Sequence, residues 1–303
     1  MAKIVVIGSL NMDLVAVAPR LPLAGETILG TQFLSVPGGK GANQAFATAK
    51  LGGDVAMLGR VGADDYGIRM CANLAAVGCD VARVRPVDGS SGIAVIFVAD
   101  SGENSIVVIS AANDRYRAPD LADDDVSLAG AQYVLLQLET PLQTVIAAAR
   151  AANRHGARVI LDPAPAPGAL PAELFRHIDI ITPNEAEARQ LLGGAPGGLS
   201  VDEATAVSRQ LQGLGAKSVI IKLGAQGCLL TEGDSATLIP APRVDAVDTT
   251  AAGDTFNGAL AVACSEGASL VEACRFAVRA AALSVTRLGA QTGMPSRAEL
   301  NAF

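Results

Sequence analysis

The chain has no tryptophan, aromatic residues make up only 3 % of it, and histidine occurs twice, at His155 and His177. The few Tyr and Phe do not interleave with basic runs, so a stacking platform for single-stranded nucleic acid is missing. A formal net charge of −7 offers no positive field for a nucleic-acid backbone either. Two isolated histidines argue against a histidine-based zinc centre and against a Ser–His–Asp triad. The five cysteines (Cys71, Cys79, Cys228, Cys264, Cys274) form no CxxC pair, which reads as buried apolar thiols in a reducing compartment. No uninterrupted apolar run is long enough to span a bilayer, and the N-terminus has neither a signal-peptide core nor a cleavage site. A cytoplasmic protein without membrane or nucleic-acid partners is expected. Any phosphate it binds must be held locally, by backbone N–H groups, a few cations and a metal.

Half of the 303 residues are apolar, and Ala, Val, Ile, Leu and Gly dominate, as helices packed on a buried parallel sheet require. Short Val/Ile/Leu runs predict strands at Ile4–Ile7, Val55–Leu58, Tyr133–Leu138, Val159–Asp162, Ile178–Thr182 and Val219–Leu223. Helices are predicted between and after them at Gly41–Leu51, Tyr66–Val77, Pro141–His155, Val201–Leu214, Gly253–Cys264 and Leu270–Thr286. Thr140 with Gln143, and Ser200 with Glu203, read as capping boxes, the first with Pro141 at the first helical position. The alternation predicts one α/β domain over 1–303, with a mostly parallel sheet and helices on both faces. Leu14–Leu34 and Ile93–Ile109 break the pattern, and their apolar–polar alternation predicts a small antiparallel appendage from about residues 12–35 and 91–110. The glycine-rich 193–198 patch reads as a loop between helices.

Polar residues cluster where the predicted strands end: Asn11 and Asp13, Glu139, Asp162, Asn184, and the stretch Lys222 to Gly227. In an open parallel sheet these ends share one edge, where ligands bind. The segment Pro37 to Gln44 is a glycine-rich turn that feeds a helix. It is not a phosphate-binding loop of the GxxxxGK[ST] kind, because Lys40 is followed by Gly41. Asn43, both donor and acceptor, suits a sugar diol better than a phosphate. The segment Asp248 to Gly258 leads small residues straight into an Ala-rich helix, which leaves the N–H groups of Ala251, Ala252, Gly253 and Asp254 free to stabilise developing negative charge. In the first turn, Asp254 either complements the helix dipole or accepts a proton from a substrate hydroxyl.

Asn11-x-Asp13, Gly38–Gln44, Thr182–Glu187 and Asp248–Asp254 together resemble the ribokinase-like (PfkB-type) carbohydrate kinases, and the resemblance runs from the first strand to Gln291. Gly8–Asp13, Gln137–Pro141 and Asp162–Ala166 look like the ribose-phosphorylating branch of that family. The resemblance implies an ATP-dependent sugar kinase, most simply acting on D-ribose, with Asp254 as base and the Ala251–Gly253 amides as anion hole. It places the sugar against Asn11, Met12, Asp13, Gly39, Lys40, Gly41, Ala42, Asn43 and Glu139. It places the nucleotide against Asn184, Lys222, Leu223, Gly224, Ala225, Gln226, Gly227 and Val278. It also implies Mg2+ near Glu187 through water, and K+ near Asp248, Thr250, Ser284, Arg287, Gly289 and Gly293, mostly through carbonyls. The appendage would be a lid that pairs two subunits into a homodimer.

Three positions depart from the family pattern. Lys222 replaces a small hydroxyl residue, and it either reaches the triphosphate or points into solvent. Gly293 stands where Ser is frequent, and Val278 replaces a polar residue beside the adenine. The compact polar set favours a small free sugar over a nucleoside, although 2-deoxyribose and fructose-type sugars remain open, with Met12 a residue that would shift the preference. A non-catalytic sugar or nucleotide sensor is the reading from another class, and the Gly253–Asp254 pair argues against it.

Overall fold

The computed structural model describes residues 3–303. Its large sheet has nine strands in the order β13-β12-β11-β10-β9-β8-β1-β4-β5. In chain order these are β1 (Ile4–Ile7), β4 (Val55–Gly62), β5 (Asp80–Val87), β8 (Tyr133–Leu136), β9 (Arg158–Leu161), β10 (Ile180–Ile181), β11 (Ser218–Lys222), β12 (Cys228–Glu232) and β13 (Ser235–Ile239). All pairings from β11 to β5 are parallel, while β12 and β13 close one edge as an antiparallel hairpin. The central strands are apolar on both faces. Ile4, Val6, Leu135, Ile160 and Ile220 enter one core; Val5, Ile7, Val134, Leu136, Leu161 and Ile221 enter the other. This period of two on a doubly covered sheet explains why the strands read as continuous apolar runs.

The first core is closed by α1 (Lys40–Lys50), α2 (Asp65–Ala76), α8 (Ala252–Ser265) and α9 (Leu270–Ser284). The second is closed mainly by α4 (Leu142–Arg154), α6 (Glu185–Leu191) and α7 (Val201–Gly213), with the short α3 (Leu121–Asp124) and α5 (Ala172–Phe175) beside them. Two short helices, α10 (Ala290–Gly293) and α11 (Arg297–Ala302), end the chain. Ser200 and Glu203 form the predicted capping box on α7. The box predicted at Thr140 is absent. Helix α4 starts one residue later, at Leu142, with Pro141 in an extended conformation at the cap and no side-chain cap bond. Pro141 itself takes the cap position with ψ 131°, so Thr140 lies one residue before the cap, where it is buried.

A second sheet of four strands, in the order β3-β2-β6-β7, comes from β2 (Asn11–Ala18), β3 (Gln32–Gly38), β6 (Gly92–Ala99) and β7 (Asn104–Ile109). It consists of two antiparallel pairs joined by a parallel pairing of β2 with β6. Strand β2 leaves the large sheet directly after β1, so Asn11 and Asp13 lie where the two sheets meet.

Helices α1 and α8 pack backbone to side chain at Gly258. A Cβ there would come within 2.8 Å of the Ala47 Cβ and 2.9 Å of the Gln44 carbonyl. This approach brings residues 43 and 44 against Asp254. Gly258→Ala is expected to lower stability by about 1–3 kcal/mol through overpacking. Urea unfolding measures it, and an unchanged midpoint would show that the helices separate freely.

Candidate active site

Helix α1 begins at a glycine because the chain is crowded there. Gly39 caps it with φ 88°, and a Cβ at that position would lie 2.6 Å from the Asn11 amide nitrogen. The first turn of α1 then receives a carboxylate: Glu139 Oε2 accepts from the Lys40 N–H (3.0 Å) and from Ser9 Oγ (2.5 Å). Gly41 and Ala42 are buried against Ser9, with N–H bonds to Ser9 Oγ (3.3 Å) and Ser9 O (2.9 Å). On β2, Asn11 and Asp13 share one face. Asn11 is fixed by Asn113, whose Nδ2 donates to Asn11 Oδ1 (2.8 Å). The Asp13 carboxylate overlies Gly38, where a Cβ would come within 2.2 Å of it.

Met12 corrects one expectation. Strand alternation sends its side chain to the opposite face, into the core with Phe46 and Leu10, so it does not present its thioether to a sugar.

Asp254 is buried at the start of α8, and each of its oxygens accepts a hydrogen bond. Asn43 Nδ2 donates to Oδ2 (3.0 Å) and Gln44 Nε2 to Oδ1 (3.2 Å). Asn43 in turn accepts from Gln291 Nε2 (3.0 Å), which leaves one amide hydrogen of Asn43 uncommitted. Burial raises the Asp254 carboxyl to about 6; Lys40 opposes this, Asp162 adds to it, and the two amides oppose it again. Asp13 is pushed up to about 7, first by burial and then by Glu139 and Asp254. Burial alone would lower Lys40, but Asp254, Asp162, Glu139 and Glu187 together hold its ammonium above the usual lysine range.

The cap of α8 is Ala251, a non-glycine residue in the left-handed region at φ 58°. Of the four N–H groups expected to be free, that of Ala252 donates to the Thr249 carbonyl (3.3 Å), which closes a turn. The Ala251, Gly253 and Asp254 N–H groups have no acceptor among the described residues.

A cleft of about 1050 Å³ opens on this terminus, lined among others by Lys40, Asp162, Asn184, Glu187, Lys222 and Gly253. Lys222 points into it, with its Nζ paired to Asp162 Oδ1 (3.0 Å) and lying 3.2 Å from where a Gly253 Cβ would be. Gly224, Ala225, Gly227 and Val278 line the same cleft, Val278 beside Ala281 and Ala282 in an apolar slot. Leu223 does not line it; its side chain packs in the core, and Gln226 also lies outside the lining. A strand that ends on a tight turn alternates its faces to the last residue, so not every position of the 222–227 loop can face a ligand. Asn184 and Glu187 form a reciprocal capping box on α6, so Asn184 Oδ1 and Glu187 Oε2 are already engaged (both 2.8 Å).

Behind the anion hole, Asp248 ties two loops together. Its Oδ1 accepts from the Thr250 N–H (2.9 Å) and Oγ1 (2.6 Å), and its Oδ2 from the Gly289 N–H (2.8 Å). These bonds outweigh its burial and hold Asp248 below the usual carboxylate range. The Ser284 and Arg287 carbonyls converge on Gly293, where a Cβ would come within 2.9 and 3.4 Å of them. The Arg287 guanidinium is paired to Glu299 (2.8 Å), so only its backbone faces this cradle.

A family model described as pfkB family carbohydrate kinase matches residues 1–297. The chain belongs to the pfkB family of carbohydrate kinases. It is 44 % identical to a ribokinase of Bacillus subtilis, over 99 % of this chain and 98 % of that one. It is 38 % identical to a deoxyribokinase of Salmonella typhimurium, over 99 % and 98 %. The solved structure of Arabidopsis thaliana ribokinase complexed with ribose and ATP superposes with a TM-score of 0.93 at 36 % identity, covering 99 % of this chain and 98 % of that one.

Sequence reasoning gave no role to Gln44, Gln137, Asn113 and Gln291, which hold the expected residues or one another in place. Gln44, Gln137 and Gln291 stand in the motifs that carry the family resemblance, whereas Asn113 had no such signal.

Asp13 gives a pH test. Its folded value near 7 lies above an unfolded value of about 4, so its contribution to stability is full below about pH 4 and is lost as pH rises through 7. Asp13→Asn should therefore raise Tm by about 2–4 °C at pH 8 and by less at pH 5, while weakening sugar binding. A gain that does not depend on pH would refute the crowding.

Proposed function

We propose that this ATP-dependent sugar kinase transfers the γ-phosphoryl group of ATP to the 5-hydroxyl of D-ribose, in the cytoplasm. One observation carries the reading. The Asp254 carboxylate sits at the junction of the Asn11–Asp13–Asn43–Glu139 set and the nucleotide cleft, beside free N–H groups of α8. The ribokinase names among the relatives, and the likeness to a ribokinase complexed with ribose and ATP, support ribose as the sugar.

The sugar hydroxyls bind Asn11, Asp13, the free amide hydrogen of Asn43, the unengaged oxygen of Glu139 and the backbone at Gly39–Lys40. Asp254 takes the proton of the attacking hydroxyl as its oxygen approaches the γ-phosphorus. The Ala251, Gly253 and Asp254 N–H groups stabilise charge on the transferring group, and Lys222 adds a cation at the same place. Triphosphate and adenine occupy the cleft, with the adenine against Val278. Glu187, which faces the cleft with one oxygen unengaged, would hold Mg2+ through water; the ion neutralises phosphate charge. The Ser284 and Arg287 carbonyls, with Asp248, Thr250, Gly289 and Gly293 beside them, would hold K+, and the ion would stiffen the loop before α8.

The small sheet acts as a lid that excludes water. Its exposed Phe33, Phe97, Ile106 and Val108 suit pairing with a second copy as a homodimer.

ADP release from MgATP with a panel of sugars and nucleosides tests the function. D-ribose should far exceed the others, with K+ raising turnover. Preference for 2-deoxyribose would move the specificity and keep the chemistry, and no turnover with any sugar would overturn the reading. Asp254→Asn should lower kcat about 10²–10⁴-fold, and near-normal turnover would remove Asp254 as the base.

A further inference from the structure

Gln44 touches both carboxylates on the floor of the cleft. Its Nε2 donates to Asp254 Oδ1 (3.2 Å) and to Asp162 Oδ2 (3.1 Å), one amide hydrogen to each. Its Oε1 accepts from Gln137 Nε2 (2.6 Å). Two carboxylates on one side admit only the nitrogen of Gln44, and Gln137 on the other side completes the choice, so the amide cannot flip. Gln44 is 1 % exposed, and no water can take over its bonds. Gln137 is equally buried, with its Oε1 set against Gly8, where a Cβ would come within 2.0 Å. Beyond Asp162 the chain of contacts reaches the Lys222 ammonium at the anion hole.

We propose that Gln44 is a positioning residue that keeps the Asp254 carboxylate ionised and aimed, by bridging it to the Asp162–Lys222 pair. The proposal rests on the reading of Asp254 as the base. Asp254 and Asp162 repel each other, and a donor between them eases the repulsion without adding charge. A Lys at this position would neutralise the base, and a Glu would add a third anion. A donated hydrogen bond favours the charged form of a carboxylate, so its loss raises the pH at which the base becomes active. The other charged groups facing Asp254 are Lys40 from α1, Asp13 from β2, Asp162 beyond β9 and, through Asp162, Lys222 from β11. None of these is altered in a Gln44 variant.

The experiment is kcat/KM for ribose against pH in the full chain at saturating MgATP. Gln44→Met keeps the volume and removes the donor, and its acid limb should move up by about one pH unit. Activity would then fall about tenfold below the limb and recover above pH 8. Gln137→Met releases the amide without touching either carboxylate, and should move the limb the same way by less. A limb that stays in place, or a loss equal at every pH, overturns the proposal and leaves Gln44 as packing. If Gln44→Met does not fold, the Gln137→Met limb decides, upward for the proposal and unmoved against it. Asp254→Asn separates the two readings. Its near-normal turnover would remove the base itself, whereas an inactive Asp254→Asn with an unmoved Gln44→Met limb removes only the bridge.

Discussion

Negative charge crowded at one edge of the sheet is the constraint around which the rest of the molecule is arranged. Asp13, Glu139, Asp162 and Asp254 converge within one region. Three of them are held by groups that give hydrogen bonds or positive potential without bulk: a helix terminus and Ser9 for Glu139, two amides for Asp254, an amide and Lys222 for Asp162. Lys40 lies in the field of three of them and of Glu187. A site so arranged is less stable than a neutral one would be. Burial raises the proton affinity of Asp254, and the two amides and Lys40 oppose it.

The fold answers this constraint with elements that share one direction. Parallel strands deliver Ser9, Glu139, Asp162 and Lys222 to the same edge, and α1 and α8 both point their N-termini at it. The close contact at Gly258 locks these two helices, so the amides of α1 and the carboxylate of α8 keep their separation while loops around them vary. Asp248 performs the same service for the loop that precedes α8.

Much of this was legible in the sequence, for reasons that differ by element. Buried parallel strands declare themselves as apolar runs, and the glycine-rich and Asp248–Gly258 segments declare close backbone approach. The β12–β13 hairpin and the edge strand β5 were not read, because their outward residues are polar and the β5 segment ends in Arg85-Pro86-Val87, a pattern that edge position permits but propensity disfavours. Met12 and Leu223 were placed in the site by proximity in sequence, whereas strand alternation turns both inward. Thr140 looked like a cap, but Pro141 occupies the cap and the helix begins one residue later. Gln44, Gln137 and Gln291 stood in quoted motifs, but their roles went unread: a buried amide is ordinary in composition, and only three-dimensional neighbours reveal what it holds.

The bond between Asn43 and Asp254 joins residues 211 positions apart, and that between Asn43 and Gln291 joins residues 248 apart. Neither can form on a chain still being synthesised until its last segments have left the ribosome. The nascent protein can thus lay down its sheet while its carboxylates remain unpaired and solvated. A nascent chain that ends before Asp254 can therefore form neither bond.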